Sequence, residues 1–145
     1  MAHLRKVIRD NIKTALTGLA TTGSKVYATR VYPLSNGSLP GIVMYTDAEE
    51  VEYATVSLPR TTVRTLTVKV EVYVRGVTGY DDQLDQICAE IEAALYADVT
   101  LNGVAKDTKV TAFDADFAGE AEQPVATGVL NVEVLYTAQE GSPVN

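Results

Sequence analysis

The chain has almost none of the side chains that carry nucleophilic, redox or metal chemistry. Its 145 residues include one cysteine (Cys88), one histidine (His3) and no tryptophan. A lone cysteine cannot form an internal disulfide, so nothing points to an oxidising compartment. One His and one Cys do not make a zinc or iron site of any familiar ligand count. His3 sits at a terminus, where chain fraying works against catalytic geometry, and is expected at the surface. Cys88 falls on an apolar helical stripe and is expected as a buried, inert thiol. Neither glycine-rich phosphate loop pattern occurs. No run of eighteen apolar residues is present, which argues against a membrane-spanning helix. Charges interrupt the N-terminal Met1–Asn11 stretch, so no signal peptide is expected, and Asn36-Gly37-Ser38 reads as a turn rather than a glycan site. Asp114-Ala115-Asp116-Phe117-Ala118-Gly119 imitates the start of a calcium loop, but Ala118 and Val125 stand where ligands are required. The reading is of a non-enzymatic chain with no catalytic residue, cofactor or metal ion.

What is abundant is alternation. From Leu66 to Val74 every even position is apolar (Leu66, Val68, Val70, Val72, Val74), and Thr67, Lys69, Glu71 and Tyr73 lie between. Period two over this length predicts a strand with one buried face, which β-branched side chains suit. Leu130, Val132, Val134 and Tyr136 predict a second such strand. Two helices are expected as cover. Residues 3–19 place Leu4, Ile8, Ile12, Leu16 and Leu19 on one stripe; Asp81–Ala97 do the same with Leu84, Ile87, Cys88, Ile91 and Leu95. Shorter strands are expected at Val26–Tyr32, Gly41–Tyr45 and Thr108–Phe117. The segment Thr46–Arg60 loses the pattern and reads as a mobile or partner-ordered excursion, with a β-arm as the form it could take. Gly119–Pro124 reads as an acidic loop. Strands in blocks favour α+β: a mixed, mostly antiparallel sheet of about four to five strands packed against two amphipathic helices. One domain over residues 1–137 and a flexible tail over 138–145 complete the expectation.

Charge is uneven. Residues 1–30 carry six basic side chains against Asp10 alone, a net of +5; the remaining six basic and eighteen acidic residues give −12, for −7 overall. A basic first helix could meet acidic neighbours within its own fold, or an acidic surface on another chain. For the second case Arg5, Arg9 and Lys13 are candidates for one side of an interface, and Glu49, Glu50 and Glu52 for the other. That carboxylate run could also attract a divalent ion, although such runs are usually only solvated. No aromatic-interleaved basic patch is present, so specific nucleic-acid binding is not expected.

The order of these pieces resembles the tail terminator family of long-tailed bacteriophages, the minor tail protein U type. The matching stretches are the helix with Ile8 and Ile12, then Val31-Tyr32-Pro33-Leu34, and Leu39-Pro40-Gly41-Ile42-Val43-Met44-Tyr45-Thr46. Glu49-Glu50-Val51-Glu52, Arg64-Thr65-Leu66-Thr67-Val68-Lys69-Val70-Glu71-Val72 and Asp82-Gln83-Leu84-Asp85 follow, and Leu130-Asn131-Val132-Glu133-Val134-Leu135-Tyr136-Thr137 closes the series. The resemblance implies a homohexameric ring on the head-proximal end of the tail, assembled in the host cytoplasm, that stops tube polymerisation. The implied partners are copies of itself, the tail tube protein and head–tail connector proteins, with no membrane. A neck or head-closure protein is the alternative within virion assembly. A small host ligand-binding domain or enzyme is the alternative outside it.

Overall fold

The computed structural model describes residues 3–28, 40–76, 78–118 and 125–143. In chain order the elements are α1 (Leu4–Leu16), β1 (Val26–Tyr27), β2 (Gly41–Tyr53), β3 (Thr61–Arg75), α2 (Tyr80–Ala97), β4 (Asp107–Ala118) and β5 (Val125–Gln139). The strands form one five-stranded sheet in the order β1-β2-β3-β5-β4. β1 runs parallel to β2, and the other neighbours are antiparallel. The class is α+β, as the blocks of strands predict.

β3 is the central strand. Its even residues Leu66–Val74 are all fully buried, and they lie opposite Val134, Val132, Leu130, Gly128 and Ala126 of β5. Both helices cover this face. α1 contributes Ile8, Ile12 and Leu16, and α2 contributes Leu84, Ile87, Cys88, Ile91 and Leu95 to a single core with the strand residues. The other face carries polar side chains: Lys69 Nζ donates to Asn131 Oδ1 at 2.6 Å, and the hydroxyls of Tyr45 and Tyr73 both donate to the Glu71 carboxylate. Burial of the apolar row is therefore the main drive, and the second face costs little because its polar groups pair across the strands.

α1 ends earlier than its apolar stripe suggests. The Thr17 N–H still reaches Lys13 and Thr14 carbonyls, but Gly18 turns away at φ +93°, and Gly18 and Gly23 close a tight loop. Of the expected strand Val26–Tyr32, Val26 and Tyr27 pair with β2 and Ala28 lies outside the strand; residues 29–32, the Asn36 sequon and the acidic loop 119–124 lie outside the described residues.

The segment 46–60 is a β-arm rather than a patternless excursion: β2 continues to Tyr53, paired with β3 as far as Thr62, and only 54–60 lie outside the strands. The apolar pattern fades because a β-bulge between Thr46 and Ala48 inserts one extra residue and reverses the parity of everything after it. Glu49, not Ala48, then lies opposite Leu66 on the helix side. β4 has a matching bulge between Val110 and Ala112, which puts Phe113 opposite Leu130 on that side. The two bulges flank the row Thr46–Val68–Val132–Val110, one on each outer partner of the β3–β5 pair. The segment carrying Asp114 and Asp116 is thus strand, not a metal-binding loop.

The C-terminal stretch departs from expectation as well. β5 runs through Gln139, Ala138 is buried, and the Thr62 hydroxyl donates to its carbonyl at 2.7 Å. Beyond it, the Glu140 N–H donates to the Arg60 carbonyl and the Leu4 N–H to the Pro143 carbonyl. A boundary for a flexible tail at 138 therefore cuts through a paired strand.

Candidate functional site

Past the bulge, β2, β3 and β5 continue together as a three-stranded arm, with Tyr53, Thr62 and Ala138 in one row. At its root stands Glu49. Strand parity points its carboxylate to the helix side, with only 6% of the side chain exposed. One oxygen, Oε2, accepts from Arg5 Nη1 of α1 at 2.9 Å and from Arg64 Nη1 of β3 at 3.2 Å. The other, Oε1, accepts from the Tyr136 hydroxyl of β5, a fully buried side chain. Four elements thus converge on one carboxylate. A buried carboxylate is tolerable because both its oxygens are engaged and two guanidinium groups offset its charge. Burial first, then the bond to Glu49 and its negative charge, push the Tyr136 phenol well above its ordinary value, with Arg64 opposing.

His3 belongs to the same corner. It is the N-cap of α1, its Nδ1 accepting from the Arg5 N–H at 3.0 Å. Burial and then Arg5 hold its pKa below the usual value, Glu49 partly offsetting. The terminal histidine is therefore engaged in a cap, where the sequence suggests only an exposed side chain.

The six charged residues singled out from sequence are divided by the fold. Arg5 and Glu49, candidates for opposite sides of an intermolecular contact, pair with each other within one chain. Arg9 Nη1 lies 3.2 Å from the Thr46 hydroxyl. Lys13 is exposed on the last turn of α1. Glu50 and Glu52 are exposed, and their alternation with Glu49 turns them to the face opposite the helices. Arg64 and Tyr136, the other partners of Glu49, are not among the charged residues that the sequence singles out. The available signal was an arginine standing in the same phase as the buried row of β3.

On the outer part of the arm Thr62 and Ala138 are buried, and the exposed apolar side chains are those of β2 and the tip. Val51 and Tyr53 continue the helix-side row, and Val56 and Leu58 stand at the tip, with exposures of 41%, 58%, 96% and 76% respectively. The base of the tip is held firmly. Arg60 chelates the Glu140 carboxylate, at 2.5 and 2.9 Å, and lies over the Tyr53 ring at 5.0 Å. The Ala54 N–H donates to the Thr61 carbonyl and the Thr61 N–H to the Thr55 hydroxyl.

Elsewhere the chemistry is sparse. Among the described residues no three His, Cys, Asp or Glu side chains are gathered as a metal site, and no helix is long and apolar enough to cross a membrane. Burial, then Glu92 and Asp85, push the Cys88 thiol up to about 11, so it stays protonated and unreactive near neutrality. Cys88 faces a groove of about 290 Å³ between α2 and β4.

Fold and surfaces together define the class: an α+β protein with a mixed, mostly antiparallel sheet, one face covered by two helices, and a projecting arm. No family model and no curated protein matches the chain. Among solved structures it is similar to a chain of the "Virion of native gene transfer agent (GTA) particle", at 17% identity and a TM-score of 0.35, with 92% of each chain covered. A likeness at that level carries no argument about function.

Proposed function

We propose that this chain is a structural virion protein, a tail terminator that caps the head-proximal end of a phage tail tube as a homohexameric ring. The reading starts from the order of sequence stretches described above. The observation that carries it is the arm: a three-stranded projection, stiffened at its root by Glu49 and near its tip by Arg60–Glu140, that exposes Val51, Tyr53, Val56 and Leu58. Apolar side chains held on a rigid projection suit burial against another subunit. The charges support a head-to-tail contact, since Lys13 of α1 and the Glu50–Glu52 pair lie on opposite faces of the sheet. A heterologous interface of that kind closes into a ring when its rotation permits. The ring would seat on the last tube ring, halt further addition and offer its other face to the connector proteins.

Micrographs of tails assembled without the protein test this directly. Overlong tails support the terminator role. Tails of normal length that fail to join heads point to the neck or head-closure role. Tails that are normal and joined would overturn both.

A further inference from the structure

We propose that the tip of the arm of one copy seats in the groove between α2 and β4 of the next copy, an apolar projection meeting an apolar recess head to tail. This rests on the ring reading above and names the two surfaces that meet in the ring.

Residues 54–60 join β2 to β3 and form the tip. Val56 and Leu58 there are 96% and 76% exposed. Apolar side chains presented together at the end of a hairpin mark a contact surface. The hairpin is already braced by the Arg60–Glu140 pair and by the bonds between 54–55 and Thr61, so little further order is lost when the tip is buried. The tip contains no carboxylate. Its one charged side chain is Arg60, which stays 42% exposed beside Glu140.

The groove has the opposite shape. The bulge in β4 turns Phe113 to the helix side, where its ring lies over Gly128; a Cβ there would stand 2.9 Å from the ring. The ring is held against the backbone yet remains 44% exposed. Phe113, Val110 and Leu130 line an apolar recess of about 290 Å³, and Asp85 and Glu92 of α2 stand along its rim. Ala89, small and exposed, lies between these two on the helix and leaves the entrance open.

Floor and rim together select the tip. The floor takes apolar side chains such as Val56 and Leu58, and the rim repels carboxylates and attracts the Arg60 cation. A groove set against the groove of another copy would bring Asp85 and Glu92 against themselves. Nor can a tip reach the groove of its own protomer. From Thr62 at the end of the arm to Val70, which lies opposite the groove's Leu130, β3 runs eight residues, roughly 26 Å. A contact between two different patches is heterologous, the kind that closes into a ring.

The test mixes two variants and reads mass by light scattering. Val56→Asp with Leu58→Asp spoils the tip and leaves the groove; Phe113→Asp spoils the groove and leaves the tip. Each alone should weaken self-association about a hundredfold. Their equimolar mixture should give a 1:1 dimer and nothing larger, because one sound tip then meets one sound groove. Circular dichroism checks folding; if Phe113→Asp is not folded, Ala89→Arg at its exposed position blocks the groove instead. A wild type that assembles while either variant assembles equally well would overturn the contact and leave the ring standing. So would variants that lose assembly but do not pair when mixed. A dimer abolished by the tip variant and not by the groove variant would assign the tip to another tip and overturn the contact. Wild type that stays monomeric at about 1 mM would overturn ring and contact together.

Discussion

Glu49 illustrates how much one side chain's setting decides. In the sequence it is the first of three similar carboxylates, and only the bulge beside it makes it different. Glu49→Ala would leave Arg64, only 13% exposed, short of its carboxylate and the Tyr136 hydroxyl without its acceptor. The expected loss is about 3 kcal/mol in urea unfolding. Glu50→Gln and Glu52→Gln should be near neutral in the same assay, because both side chains are exposed. The expectation that all three act alike as a solvated patch is corrected here. Alkali offers a second residue-scale check. An ordinary thiol ionises near 9.0, while that of Cys88 is pushed up to about 11. Below 9.0 the thiol is protonated in both states and has no effect. Above it the unfolded thiol ionises first, so stability should fall until pH passes about 11. The raised Tyr136 phenol acts in the same direction from its ordinary 10.0 upward. Cys88→Ala should therefore shallow the decline in unfolding midpoint between about pH 8 and about pH 10.5, and Tyr136→Phe should shallow it further.

At the scale of the element, β3 and β5 hold the molecule together, and their two faces should respond oppositely. Val70 is fully buried beneath the helices. Val70→Asp is expected to abolish soluble folding, since an unpaired buried charge costs several kcal/mol, comparable with a domain's whole stability. Thr67 lies on the other face, directly across from Glu133. Thr67→Lys should be neutral or slightly stabilising, whereas Thr67→Asp should cost up to about 1 kcal/mol through like-charge repulsion. Melts of the three variants by circular dichroism check the order. Equal melting of Val70→Asp and wild type would mean that the buried face is misassigned.

For the whole molecule, the ring proposal assigns the exposed side chains of the arm to assembly and little of the protomer's own stability to them. Tyr53→Ser with Leu58→Ser removes exposed apolar surface, so the protomer's unfolding midpoint should barely change. Under the ring proposal, wild type should build a discrete assembly of about 94 kDa, six times the 15.6 kDa chain, as concentration rises, and the double variant should stay monomeric. Light scattering over a concentration series reads both. A stable dimer independent of concentration would count heavily against a ring.

The alternation at Leu66–Val74 and at Leu130–Tyr136, and the stripes of α1 and α2, were sufficient to determine the two central strands, both helices and the α+β class. Those signals are local: a side chain's burial follows from period two or period 3.6 as long as the element stays regular. The tertiary structure decided whatever an irregularity or a distant partner controls. The bulge at Thr46/Ala48 inverts the parity that sequence reading relies on, so the arm looks like patternless chain until its pairing with β3 is seen. The bulge at Val110/Ala112 likewise hides that Phe113 belongs with the helix face. Arg5 and Tyr136 stand 131 positions apart with Glu49 and Arg64 between them, and nothing in their local context links the four. Charge alone suggested Arg5 and Glu49 as opposite sides of a contact, and it could not tell a contact within the chain from one between chains. Strand parity and the approach of the α1 N-terminus decide that the pair closes within one protomer, because a buried carboxylate must take the nearest cations the fold offers.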